Sequence, residues 1–354
     1  MGLHHTELPD DVRARLRAGT AIPAHPLALD ASRKLDPRRQ RALSRYYLDA
    51  GAGGLAVGVH TTQFEIRDVG LYEPVLKLAA ETTESWSSAP TVRIAGLVGP
   101  TAQAVGEAEI ARGLGYHAGL LSLAALKGAS EDDMIAHCRQ LADEIPVMGF
   151  YLQPAVGGAP LSHTFWRRFA EIDNVIAIKI APFNRYATLD VVRGVVEARA
   201  EDRVTLYTGN DDAIIADLVT PHAWTRDGET VLVSIVGGLL GHWSVWTKSA
   251  VDLWHESTEA VMDGQVPLEL LALGTQVTDC NSAFFDVANN FSGCIAGCHE
   301  VLRRQGLLEG IWCLDPDEGL SPGQAEEIDR VYAAYPALND DAFVAENLSR
   351  WLDD

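Results

Sequence analysis

From about residue 21 to residue 236 the chain alternates short apolar runs with stretches in which apolar residues recur every three or four positions. A period of two marks strands and a period near 3.6 marks helices. On that basis strands are predicted at 21–27, 54–60, 92–98, 117–123, 146–152, 174–180, 203–208 and 230–236. Helical patterns between them are clearest at Arg38–Ala50, Ala102–Gly113, Ser130–Glu144, His163–Ile172, Leu189–Ala200 and Asp211–Leu218. Strands and helices in strict alternation, in this number and length, predict an α/β chain folded as a (β/α)8 TIM barrel, with a doubly wound open sheet as the competing arrangement. Side-chain alternation favours the barrel. In Asn174–Pro182 it sets Ile176, Ile178 and Ile180 against Val175, Ala177 and Lys179. It sets Ala56, Gly58 and His60 against Leu55, Val57 and Val59, and Val147, Gly149 and Tyr151 against Met148, Phe150 and Leu152. Each strand thus offers a face of smaller residues ending in a polar group at its C-terminal end, as a barrel interior opening on an active site would.

After Gly241 the alternation stops. Trp243–Met262, Leu268–Val287, Phe291–Gln305, Gly323–Ala334 and Asp341–Leu352 read as helices, interrupted by a Pro/Gly/acidic loop at Asp315–Gly323. The expected organisation is an N-terminal arm (1–20), a barrel (21–242) and a C-terminal helical appendage (243–354).

Charge narrows the partners. Asp plus Glu number 49 against 28 Lys plus Arg, a net −21 over 354 residues. Such a surface repels nucleic acid and anionic membranes, but leaves an anionic small molecule in a local cleft open. Five cysteines, an odd number in a long chain with no apolar leader, fit reduced thiols and a cytoplasmic setting. Cys294 and Cys298 can share a helix face, but no second pair or nearby histidine completes a zinc set.

The chemistry gathers at three strand ends. Lys179 follows small residues on a buried strand, where burial disfavours its charge and leaves an amine able to attack carbonyl carbon. On the strand alone, a lysine that merely reaches solvent is the commoner case. Thr61 and Thr62 offer hydroxyls and a turn of backbone N–H groups suited to a carboxylate, and equally suited to capping a loop. Tyr151 offers a phenol for proton transfer beside an imine, or a satisfied core hydroxyl. Together an amine, an acid/base and a carboxylate cradle fit a 2-oxo acid held for Schiff-base formation.

Thr61-Thr62, the Tyr-x-x-Pro run Tyr151–Pro154, Ile178-Lys179, Gly209-Asn-Asp-Asp212 and Val233-Ser-Ile235 resemble, in order and spacing, the signatures of the dihydrodipicolinate synthase / N-acetylneuraminate lyase superfamily. The resemblance spans roughly 22–333 and implies a barrel, a homo-oligomer (tetramer or dimer), and a lysine imine with pyruvate or another 2-oxo acid. It implies Lys179 as Schiff-base nucleophile, Tyr151 as proton shuttle, Thr61 and Thr62 on the carboxylate, and the Val233 carbonyl facing the lysine. No metal or organic cofactor is then required. Three departures stand out. His60-Thr-Thr-Gln-Phe-Glu65 replaces Gly-Thr-Thr-Gly-Glu, so His60 becomes a candidate substrate contact. Val156 stands where the synthases carry an arginine, and Ala124 and Ala125 where they carry a relay tyrosine. Arg185 is a candidate replacement anion contact. The leading expectation is a class I aldolase or dehydratase that is not a true dihydrodipicolinate synthase. The alternatives are a non-catalytic 2-oxo-acid sensor or subunit, and a metal-dependent barrel lyase using Asp211, Asp212 and a histidine.

Overall fold

In the computed structural model, which describes residues 2–353, the apolar runs pair side by side. The strands are β1 (Ala21–Pro23), β2 (Gly54–Val57), β3 (Val92–Leu97), β4 (Ala118–Leu121) and β5 (Val147–Leu152). They continue as β6 (Val175–Ala181), β7 (Thr205–Thr208), β8 (His222–Arg226), β9 (Glu229–Val233) and β10 (Ile235–Leu240). Eight of them form one sheet in the order β1-β10-β7-β6-β5-β4-β3-β2, parallel throughout. Its two edges meet where Ala24 bridges Ala56 and the His25 N–H donates to the Ala56 carbonyl at 2.8 Å. The sheet is therefore a (β/α)8 barrel, not an open doubly wound one.

Two apolar layers hold it. Ile22, Ala56, Ile94, Leu120, Met148 and Phe150 fill the interior. Leu55, Val57, Val147, Ile178 and Ile180 face outward into the helix layer. The helix Asp10–Ala18, within the segment read as an arm, closes the N-terminal mouth of the barrel. Its Val12 and Leu16 join the interior cluster, and the Leu16 carbonyl accepts from the Tyr207 hydroxyl at 2.8 Å. The C-terminal helices include Thr247–Met262, Leu268–Phe284, Cys294–Arg304 and Asp341–Leu352. The last docks by Trp351, buried 5.4 Å (ring centres) from Tyr46. Among the described residues no helix is long and apolar enough to cross a membrane.

Three features depart from the sequence pattern. First, the eighth barrel strand is Ile235–Leu240, not 230–236. An antiparallel hairpin, β8 with β9, precedes it and turns at Asp227-Gly228, where both residues take positive φ. Asp-Gly is a strong hairpin-turn signal, whereas Gly237-Gly238 weakens the strand pattern that follows. Second, the β5–β6 register shifts after Val175, so that Ile176 turns into the interior and Ala177 pairs with Met148. Third, β5 faces the opposite way from its predicted alternation. Met148, Phe150 and Leu152 point inward, and Val147 and Tyr151 outward. Outside, Trp166 and Phe169 of the helix His163–Ala170 press on the strand, and a Cβ at Gly149 would lie 2.6 Å from Phe169 Cε1. The small residue is needed under that helix, so the bulky ones fill the barrel.

Candidate active site

Lys179 pairs with Phe150 in the sheet, and paired residues share a face, so both enter the barrel. The Lys179 Nζ lies 4.4 Å from the centre of the Phe150 ring. On the next strand a Cβ at Gly209 would sit 2.6 Å from Lys179 Cε and 2.9 Å from Cγ. Glycine there is what lets the β7 end close over the lysine stem. Two residues on, Asp211 enters the same pocket. The His242 N–H donates to Asp211 Oδ1 at 3.0 Å. The neighbouring Asn210 side chain faces the other way, accepting from the Phe183 N–H at 3.0 Å and donating to Asp217 Oδ2 at 2.9 Å. Asp211 is thus held from both sides.

Burial disfavours both charges. It pulls the Lys179 ammonium below its ordinary range, with the Asp211 charge opposing. It pushes the Asp211 carboxyl above its ordinary range, with Lys179 opposing. The rest of the pocket is largely apolar: Val59, Leu152, Val156, Phe183, Phe285 and Phe291, with Gln153, His60, Thr61 and Cys294. His60 is driven down to about 4 by burial and then by the lysine charge, so its imidazole is neutral. Burial holds the Cys294 thiol protonated.

The structure thus brings Lys179, His60 and Thr61 together and sets the other sequence candidates apart. Thr62 is spent on its own turn. Its Oγ1 accepts from the Gly58 N–H at 3.0 Å and the Val59 N–H at 3.2 Å, and donates to the His25 carbonyl at 2.6 Å. Tyr151 lies on the outer face beside Ile180. Its hydroxyl donates to the Leu161 carbonyl at 3.1 Å and accepts from the Leu161 N–H at 3.3 Å. The reading of Tyr151 as shuttle therefore gives way: Phe150, which carries no exchangeable proton, stands beside the lysine. Val233 ends the hairpin strand before β10 begins, whereas Gly237 is level with Tyr207 and hence with Lys179. The placement of the Val233 carbonyl opposite the lysine fails for that reason. Arg185 donates to Asp217 Oδ1 at 2.5 Å and does not line the pocket. Ala124 and Ala125 also lie outside it, in a turn after β4.

The sequence alternation points Phe150 away from the interior, and no local pattern marks the phenylalanines of the later chain as part of the wall. The doublet Phe150-Tyr151 forces the two rings onto opposite faces but does not say which ring faces in. Phe285, Phe291 and Cys294 arrive from helical segments whose docking no local pattern reveals. As for a metal centre, Asp211 and Asp212 gather no histidine. Among the described residues, His4, His5 and Asp173 are the one group whose ligand atoms could meet an ion. That group lies at the N-terminal ends of the strands, where the Leu3 N–H donates to the Glu144 carbonyl ahead of β5.

Residues 19–221 match the model of the dihydrodipicolinate synthetase family. No curated protein gives a significant match. Among solved structures, a dihydrodipicolinate synthase from Cyanidioschyzon merolae with lysine bound is 18% identical with a TM-score of 0.73, covering 90% of this chain and 98% of that one. A putative dihydrodipicolinate synthetase from Pseudomonas aeruginosa is 19% identical (TM-score 0.72, 91% and 99% covered). A prophage protein of the same family from E. coli K12, in complex with pyruvate, is 18% identical (TM-score 0.71, 90% and 98% covered). At these identities the likeness concerns the fold.

Proposed function

The chain belongs to the dihydrodipicolinate synthetase family, and from that premise we propose that it is a Schiff-base-forming lyase. It acts, as an aldolase or dehydratase, on pyruvate or another 2-oxo acid. The observation that carries this reading is Lys179 itself: a buried amine, pointing into the barrel at the C-terminal half of β6 and destabilised as an ammonium. The neutral Nζ adds to the C2 carbonyl, and the carbinolamine expels water to give an imine. The imine then accepts the electron pair released at the neighbouring carbon. Thr61, which lines the pocket and whose hydroxyl lies 3.4 Å from the His25 carbonyl, is the remaining sequence candidate for the substrate carboxylate.

The walls also select. With Val156 and the phenylalanines around it, and a neutral His60, the pocket offers no cation besides Lys179. A substrate with a second anionic end finds no partner, so the favoured 2-oxo acids are compact and uncharged at the far end, and the protein is not a working dihydrodipicolinate synthase. One observation favours the non-catalytic alternative: Phe150, not a phenol, is the aromatic residue beside the lysine.

Borohydride reduction in the presence of a panel of 2-oxo acids tests the proposal. One covalent adduct per chain, mapped to Lys179, is expected. Lys179→Arg should abolish it while leaving the melting profile intact, because arginine stays protonated. An adduct mapped elsewhere, or none across the panel, would sink the lyase reading.

A further inference from the structure

Imine chemistry needs a group that moves a proton at the carbon next to the imine, and the sequence candidate for that role is gone. Tyr151 is on the outer face, and Phe150 has no proton to give. Resting on the imine reading, we propose that Asp211 is the proton-transfer residue of this site. It lines the pocket that Lys179 enters, on the loop that follows the adjacent strand β7. Its Oδ1 is fixed by the His242 N–H, and Asn210 pins the loop beside it to Thr188, Phe183 and Asp217. Gly209 allows the close passage of this loop over the lysine. A carboxylate held in this way is preorganised on the wall of the pocket that Lys179 enters.

The other titratable groups of the wall are less suited. His60 is a neutral imidazole whose conjugate acid forms only near pH 4, and Cys294 is a protonated thiol. Buried beside an amine, Asp211 passes between its charged and neutral forms more readily than an exposed carboxyl does. That suits a group which must take a proton and return it. In the step proposed, the imine nitrogen carries a proton (an iminium), and the Asp211 carboxylate takes a proton from C3. The C–H electron pair forms the C2–C3 double bond, and the C2–N π pair moves onto nitrogen, giving the enamine. Reprotonation, or bond formation to an electrophile, runs the same path backwards. No oxidant or reductant is consumed.

The test separates imine formation from proton transfer. Wild-type protein with pyruvate in D2O should give both the borohydride adduct and exchange of the methyl protons, followed by NMR. Asp211→Asn keeps an oxygen for the His242 N–H. It should retain the adduct and lose exchange by ~10²–10⁴, the range for a positioned acid/base. Asp211→Glu should restore part of the exchange, which a purely structural role would not produce. Undiminished exchange in D211N, with the adduct intact, would overturn the proposal alone. So would loss of the adduct in a folded D211N, since the carboxylate would then serve imine formation. Absence of an adduct in the wild type would overturn the imine reading, and this inference with it.

Discussion

Tyr151→Phe separates what the sequence implies from what the fold arranges. If the phenol were the proton shuttle, its loss would slow turnover by ~10²–10⁴. The structure gives it a different task. The hydroxyl satisfies both backbone groups of the buried Leu161, at 3.1 and 3.3 Å, and ties the segment after Pro154 to the outside of the barrel. Removing it leaves one buried donor and one buried acceptor without a partner, a loss of ~1–3 kcal/mol. The packing of its ring against Trp166, 5.2 Å between centres, survives in phenylalanine. Proton exchange into pyruvate, measured well below the melting temperature, should change less than ~3-fold, far short of an acid/base loss. The melting temperature should fall by roughly 2–4 °C per kcal/mol or somewhat less, given the chain's size. Exchange reduced a hundredfold at unchanged stability would refute this assignment and return Tyr151 to the site.

Borohydride trapping depends on the neutral amine, so its rate should rise with pH through a midpoint below lysine's ordinary 10.5. In D211N that midpoint should move lower still, because the Asp211 charge is what holds the ammonium up; a wild-type midpoint at the ordinary value would mean that the lysine is solvated. Gly209→Ala places a Cβ 2.6 Å from Lys179 Cε. Overpacking of this kind costs ~1–3 kcal/mol and shifts the nucleophile, so trapping should slow by ~10-fold or more. Wild-type trapping in this variant would show that the lysine stem has room the structure does not give it. In a coupled assay with pyruvate and aspartate semialdehyde, kcat/KM should stay below ~10⁴ M⁻¹s⁻¹, the lower range of true enzyme–substrate pairs. A higher value would mean that some cation other than Arg185 reaches the second substrate.

The barrel was legible because strand and helix periods differ and each repeat carried both. The lysine was legible because its strand is small on one side and bulky on the other. What failed is specific. Alternation says which residues share a face, but the choice of inward face depends on the partner layer. At β5 that layer is the Trp166/Phe169 pair, which needs Gly149 beneath it. The bulge at Ile176 breaks the period inside the strand that matters most. At the eighth strand, Val233-Ser-Ile235 looks like a strand core, yet Asp227-Gly228 upstream makes it the join between a hairpin and a glycine-rich barrel strand. Asp211 was visible in the sequence only within the Gly209–Asp212 motif and as a possible metal ligand, because nothing local shows that a loop just past a strand folds over a neighbouring lysine.

The pocket wall is drawn from two stretches of the chain. Ala24, His60, Phe150, Lys179 and Asp211 fall inside the span that matches the family, while Gly241, Phe285, Phe291 and Cys294 fall beyond its last matched residue, 221. The proposed nucleophile and the phenylalanines Phe285 and Phe291 of its wall thus come from different parts of the chain. A change in the segments that carry Phe285 and Phe291 would reshape the wall while leaving the strand of Lys179 as it is. Phe285→Ala and Phe291→Ala should therefore change which 2-oxo acids are trapped without touching the lysine.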